Sequence, residues 1–249
     1  MGVNEKKRIL LIGGSGLLGR ELRRLAPDLI APSRSELDLI RLDVLPEALD
    51  HYAPAIVIHA GAMTKTEAVR SKPAEAVITN IAATAVIASA ALRAGFRLVY
   101  ISSDYVYDGD RDGPHSETEP LKPGNPYAWT KLGGECAVRL VPDSLIIRTS
   151  FGPRPFEYAQ GATDKITSRL YVDEAAPILL ALAQSDLRGV INVGGKRRSL
   201  YDYALETRPD VQPIRLADLE YPVPRDTSLD LTRLEEWKAK EANELTGRS

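Results

Sequence analysis

The sequence predicts an α/β fold: a doubly wound, mainly parallel sheet followed by a smaller C-terminal lobe. Short β-branched or Leu-rich runs alternate with amphipathic stretches over residues 8–149. The runs IVIHA, LVYIS and LIIRT are almost continuously apolar, as strands covered on both faces are. The first run opens directly onto a glycine-rich turn and then a helix.

In chain order, residues 8–12 read as a strand and 16–25 as a helix stopped by Pro27. Residues 28–31 read as a short strand, 46–52 as a helix of a turn or two, and 55–60 as a strand. A long helix is expected over 73–94, with Gly95 in the C-cap position. A strand over 97–102, a helix over 127–140 and a strand over 145–149 complete the alternation, which implies right-handed crossovers. Residues 151–168 are rich in Pro, Gly, Thr and aromatics and read as loop. Beyond them lie a helix at 172–184, a strand-like run at 189–193 and a charged helix at 231–244 that frays at its end. A soft boundary near Ser150 divides a dinucleotide-binding unit, 1–150, from a small lobe, 151–249, with some segments returning to the first unit.

At 249 residues and 44% hydrophobic, the chain has material for one sizeable core. A net charge of −2, with both signs interspersed, argues against a nucleic-acid groove or an anionic membrane partner. Residues 1–9 are polar and basic without a following apolar run, so no secretory signal is expected. No window approaches about 18 uninterrupted apolar residues, so no membrane span is expected either. The single cysteine, Cys136, excludes an intrachain disulfide and suits a cytoplasmic location. The three histidines lack metal-ligand spacing, so no metal is expected.

The turn Gly13-Gly14-Ser15-Gly16-Leu17-Leu18-Gly19 carries glycines at 13, 16 and 19. Such glycines let the backbone turn tightly, approach a pyrophosphate and pack helix on strand. The helix start then offers N–H groups and positive dipole to phosphate. This is a Rossmann-like phosphate turn; no Lys-Ser/Thr pair follows, which excludes a P-loop. About twenty residues on, NAD enzymes place a carboxylate for the ribose. Here stand Ser33-Arg34-Ser35, a guanidinium between two hydroxyls, which suits a 2′-phosphate and predicts NADPH over NADH. Glu36 and Asp38 close by leave NADH possible.

Tyr127 and Lys131 fall at i and i+4 on one helix face, where an ammonium lowers a phenol's pKa toward the working range. A tyrosine so tuned donates a proton to a ketone as hydride arrives. Ser102-Ser103 end the preceding strand, where a hydroxyl reaches the reacting carbonyl.

These residues together resemble the extended short-chain dehydrogenase/reductases. Within them, the stretch from Ser102 to Gly109, SSDYVYDG, resembles the dTDP-4-dehydrorhamnose reductase branch. So do SRSELD from Ser33, AGAMT from Ala60, Asn80, Glu117 through Glu135, RTS from Arg148, YVD from Tyr171 and RDTSLD from Arg225. The resemblance implies a nucleotide-sugar substrate, a 4-keto-6-deoxy sugar, and Ser103, Tyr127 and Lys131 as the catalytic trio. It implies cofactor contacts at Gly13, Ser15, Gly16, Leu17, Leu18 and Gly19. Others implied are Ser33 and Arg34 at the 2′-phosphate, Asp38 and Leu39 by the adenine, Ala60, Gly61 and Ala62 by the ribose, Thr149 and Ser150 by the nicotinamide, and Ser102, Tyr127 and Lys131 as further cofactor contacts. Thr64, Asp104, Tyr105, Val106 and Arg225 would face substrate. It also implies a homodimer through helices 73–94, rich in alanine, and 127–140. Two departures stand out: Arg70 replaces a usual acid, and the helix expected between Gly152 and Gly161 is missing.

Several residues read more plainly. His59 is a hydrogen-bonded core histidine, Cys136 and Trp129 pack, and Lys196-Arg197-Arg198 is a solvated loop. Asp104 either acts in the site or caps the loop. Three functions compete: a keto-sugar reductase, an epimerase or dehydratase, and a regulatory subunit that binds NADP(H) without turnover. A dehydratase needs a second acid after Asp104, where Tyr105 stands, and an epimerase favours a carboxylate over Arg34. The intact trio argues against the regulatory subunit and the shortened lobe argues for it.

Overall fold

The computed structural model describes residues 7–220 and 223–246. Residues 1–6, most of the basic N-terminal stretch, lie outside them. In chain order the first half comprises β1 (Ile9–Ile12), α1 (Leu17–Leu25), α2 (Leu45–Tyr52), β2 (Ile56–His59) and α3 (Thr66–Ser71). Then come α4 (Pro73–Ala76), a π-helical turn (Val77–Ala82), α5 (Ala83–Ala94), β3 (Arg97–Ile101), α6 (Pro126–Val138) and β4 (Ser144–Thr149). Short strands β5 (Phe151–Gly152), β6 (Gln160–Ala162), β7 (Ile166–Thr167) and β8 (Leu170–Tyr171) precede α7 (Val172–Gln184) and β9 (Gly189–Val193). The chain closes with β10 (Arg198–Ser199), α8 (Leu200–Leu205), β11 (Gln212–Ile214) and α9 (Thr232–Thr246).

Five strands form one parallel sheet in the order β1-β2-β3-β4-β9. Strand alternation sends Ile9 and Leu11 to one face and Leu10 and Ile12 to the other. On the first face Leu18, Leu22, Ala175, Leu179, Leu182 and Leu234 bring α1, α7 and α9 against the sheet. On the second, Leu45, Leu49, Ala83, Ile87, Ala90 and Val138 bring α2, α5 and α6. The result is the Rossmann-like α/β/α sandwich expected from the continuous apolar strands. Residues 172–193 return to this sandwich after the loop region. A smaller cluster of Phe156, Tyr171, Tyr203, Ala204 and Val211 forms a core of its own.

The short strand expected at 28–31 is reduced to one parallel bridge, Ile30 to Leu10. Pro27 and Pro32 flank it closely, and neither can donate to a ladder. The bridge still sets Ile30 beside β1 on the side opposite β2, so the chain reverses its winding at β1. Ligands bind at the carboxyl ends of the strands at such a point.

The long helix is not uniform. Its turn at Val77–Ala82 widens to π geometry. There the Asn80 carbonyl accepts from Thr84 Oγ1 at 2.8 Å, while the Asn80 side chain reaches out of the helix. Gly133 and Gly134 allow α6 to close on this turn, since a Cβ at Gly133 would stand 2.9 Å from Ile81 Cδ1. By length and composition alone Pro73–Ala94 could cross a membrane. Its inner face, Ala83, Ile87, Ala88, Ala90 and Ala91, packs on the sheet.

Candidate active site

Gly13 leaves β1 with φ +93°, the left-handed region, and a Cβ there would stand 2.6 Å from the Gly61 amide nitrogen. A Cβ on Gly19 would stand 2.6 Å from Gly14 Cα. The turn therefore admits no side chain on its inner side. It is closed by Gly16 N donating to Gly13 O at 3.0 Å, and α1 starts at Leu17 with its first amides unshared. Leu39 meets Gly61 across this turn, its Cδ1 lying 2.9 Å from a Cβ built there. At the end of β4, Thr149 Oγ1 is buried without a partner. A cradle shut to Cβ atoms and an unsatisfied hydroxyl on the same sheet edge fit a dinucleotide.

Residues 33–37 form a capped turn. The Glu36 carboxylate accepts from Ser33 N at 2.8 Å and from Ser33 Oγ at 2.7 Å. These bonds, the hydroxyl's first, hold the Glu36 carboxyl below its ordinary range. Arg34 is 71% exposed, and its nearest carboxylate, Asp38, is 3.5 Å away. The guanidinium is exposed and held only by this i,i+4 pair with Asp38, whereas the Ser33 hydroxyl is bonded to Glu36.

Asn125 caps α6 by accepting from Ala128 N at 2.9 Å, and Pro126 follows at the first turn. This start places Tyr127 half-buried at the helix mouth, edge-on to Tyr105 at 6.4 Å between ring centroids. Ser103 is buried at the carboxyl end of β3 and accepts from Tyr105 N at 3.2 Å. Burial pushes the Tyr127 phenol up to about 12, with Ser103 pulling it down and Asp104 pushing it further up. The lowering expected from Lys131 does not appear. The Lys131 ammonium instead lies over the Tyr100 ring, 4.0 Å from its centroid. Burial brings Lys131 down to about 7, against the opposing pull of Glu135.

Asn80, Ser102, Glu135 and Arg148 hold this trio in place. Asn80 donates to Met63 O at 2.9 Å and to Thr130 Oγ1 at 2.8 Å, and accepts from Met63 N at 2.7 Å. It thereby staples the 60–64 loop to the helix turn of Tyr127 and Lys131. Ser102 donates to Glu135 Oε1 at 2.6 Å, and Arg148 grips both Glu135 oxygens at 3.0 and 2.8 Å. Arg148 continues to Tyr107 OH at 2.9 Å, and Tyr107 to Asn192 Oδ1 at 2.7 Å. A helix acid facing a strand-end arginine was the only available signal, and it does not identify which acid is buried.

Other expectations divide. His59 is a buried neutral histidine bonded to Thr84 Oγ1 at 2.9 Å, and burial, then Lys131, lowers it to about 3. Ser103, not Asp104, caps the turn after β3; Asp104 is buried and bonded to Ser103 and Thr227. Val106 is fully buried in a cluster with Tyr107 and Leu229. Thr64 is exposed on the 60–64 loop. Arg225 is held on the surface by Asp112 at 2.7 Å and the Asp110 carbonyl at 2.9 Å. Arg70 pairs with Glu67 at 2.8 Å in an exposed turn.

Cys136 and Trp129 do not pack. Both lie off the inward stripe of Ala128, Lys131, Glu135 and Val138, leaving Cys136 exposed and Trp129 57% exposed. The 196–198 run is exposed at Lys196 and Arg197 and half-buried at Arg198. Arg197 donates to Asp226 at 2.7 Å and to Ser228 Oγ at 3.0 Å, and Arg198 pairs with Glu206. Residues 152–161, all described, contain no helix, as the sequence indicated.

Comparison with known proteins gives these features a context. Curated relatives include a dTDP-4-dehydrorhamnose reductase of Aggregatibacter actinomycetemcomitans, 28% identical and aligned over 92% of both chains. A crystal structure of a hypothetical dTDP-4-dehydrorhamnose reductase from Sulfolobus tokodaii is 26% identical with a TM-score of 0.81, covering 92% of this chain and 94% of that one. The fold also matches that of a Bacillus anthracis dTDP-4-dehydrorhamnose reductase in complex with NADP, at TM-score 0.85 and 24% identity over 92% of each chain. A family model described as the RmlD substrate binding domain matches residues 7–158, well over half of the sequence. With its glycine cradle and its Ser103–Tyr127–Lys131 edge, the chain belongs to the RmlD substrate binding domain family.

Proposed function

We propose that this chain is an NADPH-dependent reductase of a dTDP-linked 4-keto-6-deoxy sugar. The observation that carries the reading is the placement of Tyr127 beside Ser103 on the sheet edge that also holds the Gly13–Gly19 cradle. A relative named dTDP-4-dehydrorhamnose reductase aligns over 92% of this chain.

The residues take these roles. Gly13, Gly16 and Gly19, with the amides of Ser15, Leu17 and Leu18, receive the pyrophosphate. Arg34 meets the 2′-phosphate, which favours NADPH while leaving NADH usable. Asp38 and Leu39 border the adenine. Ala60, Gly61 and Ala62 border the ribose, and Thr149 and Ser150 the nicotinamide, where the unpartnered Thr149 hydroxyl finds its bond. NADPH, when bound, supplies the hydride. Tyr127 gives its proton to the ketone oxygen, and its high pKa keeps it loaded with that proton at neutral pH. Ser103 orients the Tyr127 phenol toward the same oxygen. Tyr105 and Thr64 face the sugar. Exposed Val77, Ile78 and Trp129, on two elements that touch, form the face we assign to a homodimer, which light scattering at micromolar concentration checks.

The test is NADPH oxidation against dTDP-, UDP- and GDP-linked 4-keto-6-deoxy sugars. Stoichiometric oxidation with the dTDP sugar supports the reading. Binding of NADPH without oxidation by any of them favours the regulatory subunit, in keeping with the missing 152–161 helix.

A further inference from the structure

A second buried chain of polar groups runs away from Ser103. Asp104 accepts from Ser103 Oγ at 3.3 Å on one oxygen and from Thr227 Oγ1 at 2.7 Å on the other. Thr227 Oγ1 in turn accepts from Lys165 Nζ at 2.7 Å. Asp104, Thr227 and Lys165 are 2%, 0% and 4% exposed. The backbone fixes their spacing, because Ile166 N donates to Arg225 O at 2.8 Å and Thr227 N to Ile166 O at 3.0 Å.

A buried ammonium is costly unless an anion balances it. The charged groups facing Lys165 are the Asp104 and Asp226 carboxylates and the Arg169 guanidinium, with the Tyr105 ring 5.3 Å away. Asp226 is already committed to Arg197, to Ser228 and to the Gly113 amide. Arg169 repels. Asp104 is therefore the anion that Lys165 balances.

We propose that Lys165 is a positioning residue of the reductase site, acting on Ser103 through Thr227 and Asp104. The inference rests on the reductase reading above. An ammonium can only donate, so it fixes the direction of every hydrogen along the chain: Lys165 to Thr227, Thr227 to Asp104, Ser103 to Asp104. The Ser103 oxygen is thereby presented to the Tyr127 phenol as an acceptor. The ammonium also keeps Asp104 ionised against its burial, and an ionised Asp104 keeps the Tyr127 proton in place. Without it, Asp104 takes up a proton, donates in its turn, and reverses the chain at Ser103.

Two measurements test this. In isotope-edited infrared spectra at pH 7, with labelled aspartate, Lys165→Met gains a protonated-carboxyl band that is absent from wild type and from Lys165→Met/Asp104→Asn. In single-turnover NADPH oxidation, Lys165→Met is about 10- to 100-fold slower than wild type at pH 7, in keeping with a disturbed general acid. That ratio shrinks below about threefold by pH 9.5, because wild-type Lys165, lowered by burial to about 8, has by then lost its own proton. Lys131 titrates in both proteins and cancels from the ratio. Thr227→Val reproduces the deficit, and the double variant loses no more than about twofold further. NADPH affinity stays within about twofold throughout, which sets the effect apart from a fold defect. Lys165→Arg, which stays charged, restores rate and extends it to higher pH. No new carboxyl band, or a rate ratio constant with pH, overturns the proposal. If wild type oxidises no NADPH, the reductase reading fails, and the infrared result still decides whether Lys165 holds Asp104 ionised.

Discussion

The Lys131 ammonium stands 4.0 Å from the centroid of the Tyr100 ring, on the same helix face as Tyr127 but turned into the protein. It is 3% exposed, and burial lowers it to about 7. The buried Lys131 ammonium is thus held at a cost, offset in part by Glu135.

That cost sets a pH-dependent stability. The folded-state value is below the unfolded 10.5, so the folded protein binds fewer protons between about 7 and 10.5. The penalty is full below about 7 and fades as pH rises toward 10.5. Lys131→Met is therefore expected to raise unfolding stability by about 2–4 kcal/mol at pH 6–7. The gain shrinks by pH 10. Urea denaturation of the cofactor-free protein at several pH values checks both sign and slope.

Arg34 is poised for selectivity. Its exposed guanidinium is paired only with Asp38, at 3.5 Å, and the neighbouring Ser33 hydroxyl is bound to Glu36. A charge-assisted bond is worth about 1.5–3 kcal/mol. Arg34→Ala should weaken NADPH about tenfold or more while leaving NADH nearly unchanged. Fluorescence titration of both cofactors measures it; equal losses for the two would remove Arg34 from the 2′-phosphate site.

Glu135 and Arg148 are both fully buried and joined by two bonds. Removing one charge strands the other, so Glu135→Gln should cost about 3–5 kcal/mol of stability. The Ser102 hydroxyl keeps an oxygen to donate to in this variant, and the loss should therefore come from Arg148. Loss of only a few tenths of a kcal/mol would show that Arg148 finds relief elsewhere.

The sandwich was legible because its strands are apolar on both faces and its helices end at Gly95 or before Pro27. Gly13, Gly19, Ser103, Tyr127 and Lys131 were legible because spacing alone carries them to one sheet edge. Where side chains point was not. The i, i+4 rule places Lys131 beneath Tyr127, yet only packing decides that its ammonium turns to Tyr100. Lys165 and Thr227 lie 62 residues apart and meet through non-local pairing of 166 with 226, which no local pattern records. Trp129 and Cys136 were misplaced because one residue's rotation on a helix separates core from solvent. The lone bridge at Ile30 shows how flanking prolines trim a strand that composition alone suggests.

Tyr127 as proton donor is the centre of this account. Its phenol lies at the mouth of α6, within the influence of Ser103 and Asp104. The direct measurement is single-turnover NADPH oxidation by Tyr127→Phe and wild type at saturating cofactor, with a keto-sugar that wild type reduces. The ring and backbone remain, so NADPH affinity should stay within about twofold, while the rate falls by about 10²–10⁴, the usual loss of a general acid. A Tyr127→Phe protein that keeps more than about a tenth of the wild-type rate, well short of that loss, would mean that another group supplies the proton.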